Sequence, residues 1–134
     1  DTKYVSYRSA GVFLMAGFTK GLLSGTLADD GQAFSVTTSH TTVHTGPTAT
    51  TSYDEVWIYA TNADAADIEI YIGWGASGGT AANQIRLTIP AKAGYKLVIP
   101  GLILKGNASP LIVTGYAATG AKVNLTGYVN HITA

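Results

Sequence analysis

Between Asp67 and Trp74 the chain alternates without a break: Ile68, Ile70, Ile72 and Trp74 fall on one side of an extended backbone, and Asp67, Glu69, Tyr71 and Gly73 on the other. A period of two is that of a half-buried β-strand, and it rules out a helix over these residues. Further strands are expected near Asp54–Thr61, Gln84–Ile89, Tyr95–Lys105, Leu111–Ala118 and Lys122–Ile132, joined by Gly, Asn, Asp and Pro turn signals. Pro90, Pro100 and Pro110 fall at strand ends or edge kinks, where a missing N–H breaks no central ladder. About six to eight short strands without helical periodicity predict an all-β protein, an antiparallel β-sandwich of jelly-roll-like type.

A chain of 134 residues is one domain of ordinary size and can bury a core without disulfides, of which it has none because it has 0 Cys. Residues 1–32 differ in texture from the rest. Gly11, Gly17, Gly21, Gly25 and Gly31 interrupt any long element, yet Phe13, Leu14, Phe18 and Leu22 are too apolar for a solvated tail. We expect residues 1–32 to be an N-terminal arm and residues 33–134 a β-sandwich that folds by itself. The arm orders by contact, either as an edge strand on its own domain or across a neighbouring subunit.

Several strands are apolar on both faces. In Val56–Ala60, Val56 and Ile58 can face the core only if Trp57 and Tyr59 face away, and Val98 and Ile112 stand in the same relation to their neighbours. A two-layer sandwich hides one face of each sheet, so Trp57, Tyr59, Val98 and Ile112 are expected at a subunit interface, together with Phe13, Leu14, Phe18 and Leu22. Charge points the same way. Lys+Arg 8 balance Asp+Glu 8, and charged residues are 12% of the chain, about half the usual share. That leaves no electrostatic footprint for nucleic acid and favours association, giving a homo-oligomer, with a trimer expected. The apolar run Ala10–Phe18 is too short to span a bilayer, so no membrane partner is expected.

Candidate chemistry is sparse. His40 and His44 are four apart, but a Thr-rich strand would hold them about 13 Å apart, too far to share one ion. We expect both on an exposed or interfacial face, and His131 as a structural residue of the last strand. Asp54 and Glu55 are adjacent and point to opposite faces of a strand, so they are not a glycosidase pair. Asn62, Asp64 and Asp67 read as a turn and strand entry, since they lack the Gly and terminal Glu of a calcium loop. Gly73–Thr80 lacks the lysine and helix of a phosphate loop. No catalytic residue, metal site or cofactor is expected, and the chain is expected not to be an enzyme. Trp57, Trp74 and the 8 Tyr could instead stack on sugars.

The run Ile89-Pro90-Ala91-Lys92-Ala93-Gly94, then Leu97–Leu102, Gly115–Thr119 and Leu125–Thr133, resembles small β-sandwich virion structural proteins of tailed bacteriophages over roughly Val56 to Ala134. The resemblance implies a capsid decoration, or cement, protein at the virion surface, often a trimer, whose partner is the major capsid protein. The alternative it leaves open is the receptor- or carbohydrate-binding β-sandwich head of a phage fibre.

Overall fold

The computed structural model describes residues 8–9, 12–13, 17–25, 30–92 and 94–133. Its strands are β1 (Arg8–Ser9), β2 (Val12–Phe13), β3 (Gly17–Leu22), β4 (Phe34–Ser35), β5 (Thr41–Thr45), β6 (Ser52–Asn62), β7 (Ile68–Trp74), β8 (Gln84–Ile89), β9 (Lys96–Lys105), β10 (Ile112–Ala117) and β11 (Val123–Thr133), with one 3-10 turn at Ala81–Asn83. Strands β1 and β2 pair only with each other among the described residues. The others form a four-stranded sheet in the order β5-β10-β7-β8 and a five-stranded sheet in the order β3-β11-β6-β9, with the short β4 also on β11. All pairings are antiparallel.

Leaving out β1, β2 and β4, the pairs nest: β3 with β11, β5 with β10, β6 with β9, and β7 with β8. Folding one long hairpin over itself and laying its halves in two layers produces this order, which is that of a jelly roll. The layers meet through Val56, Ile58 and Ala60 of β6, Val123, Leu125 and Val129 of β11 and Ile99 and Leu104 of β9 on one side. Val43, Ile68, Ile70, Ile72, Ile89, Val113 and Ala117 face them from the other. The alternation read in Asp67–Trp74 is realised here, with the three isoleucines buried and Trp74 packed at the core's margin.

Of the two readings of residues 1–32, the structure shows the edge strand on the chain's own domain. Gly17–Leu22 pairs along β11 from Thr133 to Tyr128, and Leu23 is part of the core, so the first strand of the jelly roll lies inside the expected arm. Its glycines hid it. An edge strand with one open face tolerates Gly17 and Gly21, because each needs little packing of its own; a Cβ at Gly17 would in fact collide with the Thr133 hydroxyl. Among the described residues, no helix is long and apolar enough to cross a membrane.

Candidate functional site

The outer face of the five-stranded sheet follows directly from register, since residues directly opposite in an antiparallel pair share a face. Four rows cross it. Phe18, Ile132, Tyr53 and Lys105 form the first; Lys20, Asn130, Glu55 and Ile103 the second; Leu22, Tyr128, Trp57 and Pro100 the third; Thr126, Tyr59 and Leu97 the fourth. Phe18 is 66% exposed and Leu22 53%, and Tyr95, Leu97 and Ile103 are also open to solvent.

Trp57 is the most constrained side chain of this face. Opposite it β9 carries a bulge, and Gly101 within the bulge has φ of 77°. A Cβ at Gly101 would stand 2.7 Å from Cζ2 of the indole, so the ring lies against bare backbone that only glycine leaves free. Its Nε1 donates to Glu55 Oε1 at 3.0 Å, and the same oxygen accepts from Asn130 Nδ2 at 2.8 Å. These two hydrogen bonds hold the Glu55 carboxyl below the usual carboxylate range. The Tyr128 ring lies nearly parallel to the indole, 11° off with centroids 6.2 Å apart, and carries the Lys20 ammonium 4.6 Å from its centroid. Tyr59 stacks on Tyr95 at 4.7 Å. Asn130 Oδ1 is buried without a hydrogen-bond partner among the described residues.

The residues expected at an interface therefore separate. Phe18, Leu22, Trp57 and Tyr59 share this face. Val98 does not: a second irregularity between β6 and β9, at Ile58/Tyr59, breaks the alternation so that Val98 is buried beside Ile99. Ile112 is half-buried on β10, in the other sheet. Phe13 enters only as a member of β2, and Leu14 lies outside the described residues.

A second cluster lies between the sheets. Asp54 points inward while Glu55 points out, as adjacent strand residues must. The Asp54 carboxylate accepts from His44 Nε2 of β5 at 2.6 Å and from His131 Nδ1 of β11 at 2.6 Å. His44 Nδ1 accepts the Ser24 main-chain N–H at 3.0 Å, which places the imidazole hydrogen on Nε2. Burial pushes the Asp54 carboxyl up, but the hydrogen bonds from His44 and His131 outweigh it and hold the group below its ordinary range. His44 is thus buried, not exposed or interfacial as expected; the carboxylate supplies the partner that makes its burial tolerable.

Ser24 Oγ is also 3.2 Å from His44 Nδ1, so serine, histidine and aspartate stand in line. The line does not make a nucleophile. The imidazole lone pair that would take the serine proton already accepts the Ser24 N–H, and the hydroxyl donates to the Thr45 carbonyl at 3.2 Å. The cluster is a polar clasp between layers. His40, four residues before His44, has no part in it and stacks on Tyr116 of the four-stranded sheet. Asn62 and Asp64 tie their own turn, and Asp67 Oδ1 accepts the Ala91 N–H, which agrees with a turn and strand entry. Among the described residues, no group of three His, Asp or Glu is arranged to hold a metal ion. No protein-family model, curated protein or solved structure matches this chain.

Proposed function

We propose that the chain is a non-enzymatic virion structural protein, a capsid decoration protein that braces major capsid subunits by docking the outer face of its five-stranded sheet against protein. One observation carries this reading. Of the large exposed hydrophobic residues described, Phe18, Leu22, Tyr53, Leu97 and Ile103 lie on this face, and Tyr95 stacks on its Tyr59; Leu102 of β9 sits opposite Val56, and the four-stranded sheet has none. Soluble monomers scatter such residues, and a concentrated patch marks a surface that is covered in use. Zero net charge and few charged groups suit permanent assembly, and the sequence resemblance supplies the virion setting.

Copy number on purified particles tests it. A decoration protein stands in a fixed ratio to the major shell protein, and Phe18→Asp should abolish that occupancy while leaving the sandwich folded. Detection at the tail alone would sink the proposal.

A second reading, a receptor- or carbohydrate-binding head, is favoured by Trp57 itself. A ring laid on glycine and fixed through its Nε1 to Glu55 is a ready plate for stacking a sugar ring, with the second Glu55 oxygen beside it to accept from hydroxyls. Specific binding on a glycan array, lost in Trp57→Ala without unfolding, would select it over docking.

A further inference from the structure

The docking face is self-complementary about β11. Strands β3 and β6 flank β11 at one strand spacing on either side, and three rows carry partners of matching chemistry: Phe18 and Tyr53 about Ile132, Lys20 and Glu55 about Asn130, Leu22 and Trp57 about Tyr128. We propose that the β3-β11-β6 part of this face binds a second copy of the chain, across a two-fold axis lying in the interface and parallel to β11. The proposal rests on reading the face as a docking surface and names its occupant.

Such an axis exchanges the positions of β3 and β6 while keeping each row at its own height. Lys20 of one copy then faces Glu55 of the other twice over, Phe18 faces Tyr53, Leu22 faces Trp57, and Asn130 sits on the axis. The backbones that carry Lys20 and Glu55 stand two strand spacings, about 10 Å, apart within one copy, and packed sheets stand about 10 Å apart with their facing side chains in contact. An isologous contact of this kind closes on itself and does not propagate. Strand β9 lies beyond β6 and would overhang the edge of the partner's β3, so Leu97 and Ile103 remain outside the seam on both copies, available to the shell.

Sedimentation equilibrium of the full chain at tens of micromolar tests the proposal. The expected mass is twice that of the 13.9 kDa chain. Lys20→Glu and Glu55→Lys should each weaken association at least tenfold. Mixing the two variants should restore a heterodimer, because one contact then pairs the two introduced charges and the other keeps a native Lys20 against a native Glu55. Glu55 also bonds Trp57 and Asn130, so Glu55→Gln, which keeps an acceptor there, is the second variant should Glu55→Lys fail to fold; it too should weaken the dimer. A monomeric or trimeric wild type, or reversals that leave the mass unchanged, would overturn the proposal. A monomer that still decorates particles, and loses them on Phe18→Asp, would keep the docking reading and reject the second copy alone.

Discussion

On the outer face of the four-stranded sheet, polar groups line the aromatic rings: His40 lies on Tyr116, Tyr116 leans on Tyr71, Arg86 sits 4.7 Å over Tyr71 and pairs with Glu69. Thr42, Thr88 and Gln84 fill out the same strands. The five-stranded sheet also carries aromatics, but among the described residues only Tyr128 has a cation above it, and Phe18, Leu22, Leu97 and Ile103 stand open. Both faces belong to one jelly roll and serve its core equally well. The fold therefore does not call for the apolar finish of the second face, and this contrast is what supports our reading of it as a docking surface.

The largest expected effect removes half of that contrast. Deleting residues 1–32 takes away β3, the Leu23 contribution to the core and the Ser24 hydrogen bonds to His44. Strand β11 then shows an unpaired edge from Tyr128 to Thr133, and the loss is several kcal/mol against a total stability of about 5–15 kcal/mol. The truncated chain should be insoluble or lack a cooperative melt. A soluble, cooperatively melting product would restore residues 33–134 as the folding unit.

Next comes the clasp that holds the five-stranded sheet to the other layer. Asp54→Ala leaves two imidazoles without their acceptor and should cost about 3 kcal/mol, read from the urea midpoint. The sign with pH follows from the depressed Asp54 carboxyl. Its contribution is present in full above the unfolded value of about 3.9 and is lost as pH falls through the lower folded value. Wild-type stability should drop below about pH 4, and Asp54→Ala should flatten that limb. An unchanged acid limb would show that other carboxylates carry it.

How far the sequence reveals this arrangement depends on the distance over which its parts speak. The strands around Ile68–Trp74, Gln84–Ile89 and Trp57 are legible, because alternation and turn residues are local signals. So is the opposition of Asp54 and Glu55, which needs only the period of a strand. Strand β3 was hidden because two of its six residues are glycine. The clasp was hidden because Asp54 and His131 are 77 residues apart and only the nested topology brings β5, β6 and β11 together. Val98 was misplaced because alternation fails at a bulge, and no local residue announces the one at Ile58/Tyr59.

Gly101→Val perturbs the shape of the docking face from beneath. The new side chain meets both a left-handed backbone and the Trp57 ring, so the expected loss is about 2 kcal/mol together with displacement of the indole. Trp57 fluorescence, read in a Trp74→Phe background, should shift to the red as the ring leaves its bed. A stable variant with unshifted emission would mean that the bulge, not the glycine, positions the ring.

The smallest effects separate the two faces most sharply. Phe18→Asp changes a side chain that is 66% exposed, so folding stability should stay within about 0.5 kcal/mol of the wild type while self-association and particle binding are lost. Arg86→Ser is the matched change on the other sheet. It removes the guanidinium from the Tyr71 ring and breaks the pair with Glu69, both in open solvent, where such contacts contribute little. Because that face is finished for water, neither the melting temperature nor the sedimentation mass should move. Should Arg86→Ser dissociate the oligomer while Phe18→Asp does not, the four-stranded sheet is the docking surface, and the exposed hydrophobics of the five-stranded sheet need another explanation.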